Sequence, residues 1–213
     1  MANILVFGDS IAFGAWDPEC GYVQKLKTFL DKRILLSNYL NHFAVYNLGV
    51  DGDTSDYLLK RLESEIKARL SKDVDRTIIL FSIGSNDSAY LNNLKKNWTS
   101  PKKFKENIKK LIEIAKKFTN KIVFICLTPV DESKTTPISW NTNITYKNKS
   151  IKEYNEIIKE VCQKNKILFI EIFDNWLNFN YKKLLEEGLH PNSVGHQKLF
   201  ETIKDSLINF KII

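Results

Sequence analysis

Five short apolar runs constrain this chain more than any other feature: "NILVFG", "FAVYNLG", "TIILFSIG", "KIVFICLTP" and "ILFIEIF". Each is near the length of a strand buried on both faces, and none alternates with polar residues as a half-wet sheet would. The stretches between them read as helices. "YVQKLKTFLDKRILL" follows the first run, "SDYLLKRLESEIKARL" the second, and the lysine-rich "PKKFKENIKKLIEIAKKF" the third. "NKSIKEYNEIIKEVCQKN" follows the fourth, and the amphipathic "SVGHQKLFETIKDSLINF" closes the chain. Strand alternating with helix predicts an α/β architecture, a parallel sheet with both faces covered. With 213 residues, 43% hydrophobic and 27% charged, and no repeat, low-complexity tract or linker, residues 1–213 are expected to form one domain. Ligands bind such sheets at the carboxyl ends of the strands, so chemistry is expected in the loops that follow the runs.

Several function classes are disfavoured at once. No run of about 18 apolar residues is present, so no membrane span is expected. The first strand is read from about Asn3, which leaves no room for a secretory leader. Cys20, Cys126 and Cys162 are odd in number and follow no metal-ligand spacing, and Cys126 sits inside an apolar run as a small core residue. A reducing cytoplasm is the simplest expected location. The formal charge of +7 raises the question of nucleic acid. In the lysine-rich helix, however, Phe104, Ile108, Leu111, Ile112 and Ala115 recur at helical spacing and the lysines fall between them. A solvated helix face accounts for that pattern, and no nucleic-acid-binding motif accompanies it.

The first run ends abruptly in "ILVFGDSIAFG". Gly8 relaxes the backbone there, and Asp9 or Ser10 is placed to cap the next helix. A phosphate loop is disfavoured, since no Gly-Lys-Ser/Thr follows. The remaining reading makes Ser10 a nucleophile on a tight strand-to-helix turn, which requires a base, a group to orient it, and oxyanion donors. The other run-ends hold candidates for each. "NLGVDGDTSDYL" offers the backbone N–H groups of Gly49 and Gly52, although a turn with an Asp53 or Thr54 cap explains the glycines equally well. "SIGSNDSAY" offers the Asn86 amide, a neutral donor suited to a developing oxyanion, in residues that also suit an ordinary turn. "EEGLHPNSVGHQ" holds His190 in a loop with Glu187 three residues upstream, and Asn192 or Ser193 is placed to cap the last helix. His42 and His196 lack such a setting.

Together these stretches resemble the four blocks of the SGNH (GDSL-type) hydrolases: "FGDSIAFG", "GVDGDTS", "GSND" and "EGLHPNSVGH", in the family's order from residue 7 to 196. The match is close to the small branch of lysophospholipase-like and thioesterase I-like acyl hydrolases. The resemblance implies a flavodoxin-like three-layer fold with five parallel strands in the order 2-1-3-4-5. It implies Ser10 as nucleophile, His190 as base, and an oxyanion hole from Ser10 N–H, Gly52 N–H and the Asn86 side chain. Gly52 is preferred to Gly49 because the family's glycine directly precedes the Asp-Thr pair. The general α/β-hydrolase elbow shares the serine, acid, histidine order, but its nucleophile normally follows a central strand well into the chain. One departure stands out: the family usually has Asp three residues before the histidine, where this chain has Glu187. A longer acid in that role is known from other folds. Glu186 or Asp174 as the acid, a Ser-His dyad, and a member that binds without cleaving are the alternatives.

The resemblance implies hydrolysis of carboxylic esters, lysolipids or thioesters, without metal or cofactor, on a small-molecule substrate. A carbohydrate O-acetyl esterase is the alternative. Two long connections, "SAYLNNLKKNWTSP" and "VDESKTTPISWNTNITYKNKS", are expected to line the pocket. Asp9, Trp98, Trp140 and Tyr146 are the candidate substrate-facing residues, and packing the loops down is the equal alternative for the three aromatics. Oligomeric state is not legible.

Overall fold

In a computed structural model that describes residues 1–40, 42–70 and 76–213, the five apolar runs form one parallel sheet. Its strands are β1 (Ala2–Gly8), β2 (Phe43–Gly49), β3 (Arg76–Ser82), β6 (Lys121–Ile125) and β8 (Leu168–Ile170), laid side by side as β2-β1-β3-β6-β8. That is the expected 2-1-3-4-5 order. Every residue of β1 is buried, as its unbroken apolar run requires of a central strand. Facing phenylalanines on the three middle strands stack across the sheet, with Phe7 and Phe81 centroids 6.0 Å apart and Phe81 and Phe124 4.8 Å apart.

The helices α2 (Gly21–Leu36) and α9 (Ser193–Asn209) pack together, while α3 (Ser55–Lys67), α5 (Pro101–Lys116) and α7 (Asn148–Asn165) form a second row. The lysine-rich α5 behaves as its pattern predicts. Ser100 caps it, accepting the Lys103 N–H, and Pro101 occupies the first turn where no N–H is needed. Phe104, Ile108, Leu111, Ile112 and Ala115 are buried, and the lysines lie outside that stripe. Among the described residues, no helix is long and apolar enough to cross a membrane.

Register is what positions a site. Gly8 pairs level with Gly49 on β2 and with Ser82 on β3, so the loops after the first three strands leave the sheet at one height. Two short helices sit in those loops, α1 (Ser10–Phe13) and α4 (Ser85–Ser88). Arg61 on α3 ties the edge together, its Nη2 donating to Leu48 O at 2.9 Å and to the Asp53 carboxylate at 2.6 Å.

Two features depart from the sequence expectation. The fifth run was read through Phe173, but β8 ends at Ile170 and α8 (Phe173–Leu177) begins, with Glu171 accepting the Asp174 N–H at the helix start. A 3-10 turn (Tyr181–Leu184) follows. The two long connections also meet each other. β4 (Tyr90–Leu91), β5 (Lys96–Asn97) and β7 (Ile144–Thr145) make a small antiparallel sheet in the order β5-β4-β7, beside α6 (Glu132–Thr135). Strands of two residues leave no periodicity to read. The small sheet joins the segments that carry Trp98, Trp140 and Tyr146.

Candidate active site

The turn after β1 is held by its own residues. Asp9 Oδ1 accepts the Ile11 N–H at 3.0 Å, and Gly14, at φ +94°, closes α1 by donating to Ser10 O. Gly49 makes room for this turn, since a Cβ there would lie 2.3 Å from the Phe13 nitrogen. Gly52 is different: at φ +73° it adopts a backbone that favours glycine, yet a Cβ would meet nothing within 4 Å. It faces open space in the pocket, and Gly49 does not. The close-packed glycine and the cavity-facing glycine are thus distinguished by geometry.

Ser10 Oγ lies 2.9 Å from His190 Nε2. His190 Nδ1 in turn contacts Glu187 Oε1 in a close hydrogen bond. The turn is compact enough for the His190 backbone N–H to reach the same carboxylate, at 3.3 Å from Oε2. The extra methylene of glutamate therefore does not separate acid from imidazole. Glu186 is exposed, with its backbone N–H on His190 O, and Asp174 is exposed on α8; neither carboxylate is the one on His190. Burial acts to raise the Glu187 carboxyl, but the hydrogen bond and charge of His190 outweigh it and hold the group below the usual glutamate value. Asn192 caps α9 by accepting the Gly195 N–H at 3.0 Å, which fixes where the histidine loop ends.

The Asn86 amide is clamped by two partners of opposite kind. Its Nδ2 donates to Asp53 O at 2.9 Å and its Oδ1 accepts the Tyr146 hydroxyl proton at 3.0 Å. A flipped amide would set oxygen against oxygen at the first contact, so the second Nδ2 hydrogen has one available direction. Below it, Asp87 accepts from Ser55 N at 2.9 Å and Ser55 Oγ at 2.5 Å, while Asn107 donates to Ser55 Oγ at 2.9 Å. Burial holds the Tyr146 phenol above its ordinary value, as do the nearby Asp9, Glu187 and Asp51 charges, so the hydroxyl remains a donor. Tyr146→Phe is expected to lower kcat about twofold to tenfold with little change in KM, the worth of one ordinary hydrogen bond. Steady-state kinetics on a chromogenic ester measure it.

A cavity of about 290 Å³ opens over these groups. Ser10, His190, Gly52 and Asn86 lie on it, and Trp16, Trp98, Trp140, Tyr146, Ile144 and Leu189 form much of its wall. Trp98, Trp140 and Tyr146, carried by the two long connections, thus lie on the cavity. Trp16 was not anticipated; the available signal was its position two residues after Gly14, at the end of the nucleophile motif. Its indole Nε1–H lies 2.9 Å from His190 Nδ1 and its ring meets the imidazole edge-on at 5.9 Å.

Asp9 requires a correction. Expected to face substrate, it is 1% exposed and is not on the cavity wall, because its carboxylate turns inward to cap α1. Its Oδ2 has no hydrogen-bond partner among the described residues. Burial pushes the carboxyl up to about 7, against the opposing Ile11 N–H and His190, with Asp87 and Asp53 adding to the rise. The folded value exceeds the unfolded one, so this group's contribution is full below about pH 4 and is lost as pH rises through about 7. Asp9→Asn keeps the cap without the charge. Its melting temperature relative to wild type is expected to climb between pH 5 and pH 8; a constant difference would contradict the assignment.

The comparisons with known proteins agree with this geometry. Residues 6–198 match the sequence model of the GDSL-like lipase/acylhydrolase family. No curated protein matches the chain significantly in sequence. Among solved structures, a lipase/acylhydrolase from Enterococcus faecalis is 27% identical, with a TM-score of 0.74 over 97% of this chain and 95% of that one. An acetyl xylan esterase from Geobacillus stearothermophilus, 18% identical, gives 0.72 over 96% and 94%. A member of the lipolytic G-D-S-L family from Veillonella parvula, also 18% identical, gives 0.71 over 96% and 97%. The last two show a shared fold. With its family model matched over nearly the whole sequence, this chain belongs to the GDSL-like lipase/acylhydrolase family and is a hydrolase.

Proposed function

We propose that the protein is a serine esterase acting through an acyl-enzyme on Ser10, on short-chain carboxylic esters. The observation that carries this reading is the hydrogen-bonded series Ser10 Oγ, His190 Nε2, His190 Nδ1, Glu187 opening onto one cavity. Ser10 Oγ bonds to the carbonyl carbon while its proton passes to His190 Nε2. Glu187 holds the imidazole by Nδ1 and stabilises the imidazolium. The carbonyl oxygen, now an oxyanion, is met by the N–H groups of Ser10 and Gly52 and by Asn86 Nδ2. His190 then returns its proton to the departing alkoxide as the C–O bond breaks. Water repeats the sequence, and the acid leaves with Ser10 restored.

The cavity, about 290 Å³, falls just below the roughly 300 Å³ at which ligand pockets commonly begin, in keeping with a small acyl group. Its rim favours one refinement. Trp16, Trp98 and Trp140 keep 63%, 37% and 52% of their surface exposed around the mouth, and flat apolar faces beside a small acyl site suit an O-acetylated sugar. The structural likeness to an acetyl xylan esterase is consistent with that reading. Purified protein is expected to hydrolyse nitrophenyl acetate in EDTA at least tenfold faster than nitrophenyl octanoate, and to release acetate from acetylated xylo-oligosaccharides. Preference for the octanoyl ester would overturn the short-chain reading. Acetate release from nitrophenyl acetate but not from the sugar would overturn the carbohydrate refinement alone.

A further inference from the structure

His190 Nδ1 has two neighbours that ask opposite things of it. Glu187, whose carboxyl is held in its ionised range, accepts a proton, so it selects the tautomer with hydrogen on Nδ1. That tautomer leaves the Nε2 lone pair facing Ser10 Oγ, ready to take the hydroxyl proton. The Trp16 indole can only donate, and its Nε1 lies 2.9 Å from the same Nδ1. An indole N–H bond to Nδ1 requires a lone pair there. The ring hydrogen must then sit on Nε2, where it donates to Ser10 Oγ and cannot accept from it. One nitrogen cannot serve both partners at once.

The indole is not there by the chance swing of a surface side chain. Trp16 sits at φ +66°, a left-handed backbone that non-glycine residues rarely adopt. The next residue, Asp17, accepts from Ser193 Oγ at 2.6 Å, from Glu19 N at 3.1 Å and from Gly21 N at 3.0 Å. Ser193 stands three residues beyond His190, at the first position of α9. The loop carrying the indole is therefore fastened to the segment carrying the imidazole. Asp17 is also buried, unlike the 63% exposed Trp16, so the fastening is internal and the indole alone faces the cavity mouth.

We propose that Trp16 is a positioning residue for His190 that competes with Glu187 for Nδ1, keeping part of the enzyme in the tautomer unable to take the Ser10 proton. The inference rests on the esterase reading above for its consequence, though not for its geometry. It makes Trp16 a brake on the hydroxyl as well as part of the aromatic rim.

The test compares wild type with Trp16→Phe, which keeps an apolar aromatic ring, though a smaller one, and removes the N–H. Histidine 15N NMR on the resting proteins reads which ring nitrogen carries hydrogen, and reaction with a small fluorophosphonate reads Ser10 nucleophilicity. Trp16→Phe is expected to shift the His190 population toward hydrogen on Nδ1 and to speed labelling about twofold to fivefold, the scale of one modest hydrogen bond. An unchanged tautomer population would overturn the proposal. So would slower labelling, whatever happens to KM, because a residue that merely packs against substrate changes KM and leaves the tautomer alone. Wild type that never labels would instead count against the esterase reading, and the NMR comparison would still decide the tautomer claim.

Discussion

Ser10→Ala is expected to abolish ester hydrolysis, with kcat falling by about 10⁴-fold or more while the melting temperature holds within a few degrees. The residue is 6% exposed, and its side chain makes one contact that matters, the 2.9 Å bond to His190 Nε2. Alanine fits the same volume, and the capping bond at this turn comes from Asp9, not from Ser10. Nothing in the fold therefore depends on the hydroxyl. The chemistry does, because without a covalent intermediate only the oxyanion donors and substrate binding remain to help a water molecule. Residual activity within tenfold of wild type would place the nucleophile elsewhere.

Glu187→Gln is expected to cost about 10²- to 10⁴-fold in kcat, with the fold again intact. Burial disfavours the charged carboxylate at this site, and the His190 partnership more than offsets it. Glutamine keeps the shape and removes the charge that steadies the imidazolium. Its amide N–H would also press toward His190 Nδ1, the same demand the Trp16 indole already makes. Two donors then favour the tautomer in which Nε2 holds the hydrogen. The loss should thus fall on kcat far more than on KM. Activity within threefold of wild type would mean that Ser10 and His190 work as a dyad, and that the extra methylene had displaced the acid from its usual task.

The sheet was legible because five apolar runs carried it, and the order of its strands came from resemblance, not from periodicity. Strand ends in register, Gly8 beside Gly49 and Ser82, bring the Ser10, Gly52 and Asn86 loops to one edge, whereas His190 and Glu187, in the loop before α9, were legible from their motif. What escaped the sequence was contact between loops. The β5-β4-β7 sheet consists of two-residue strands, each too short to show a period, so the pairing of the two long connections left no trace. Tyr146 was expected to face substrate; that its hydroxyl also fixes the Asn86 amide depends on that pairing. For Asp9 the helix-cap reading holds and the substrate-facing one does not, because its carboxylate serves the helix that Ser10 opens. Trp16 could not be weighed without coordinates, since its partner is 174 residues away.

In the proposed mechanism one hydroxyl at the end of β1 is made nucleophilic by an imidazole from the far end of the chain. Incubation of the purified protein with a fluorophosphonate, followed by peptide mass spectrometry, measures this most directly. A single adduct is expected on Ser10, and it is expected to disappear in the His190→Ala variant. An adduct on another residue, or a folded wild-type protein that stays unlabelled, would contradict it.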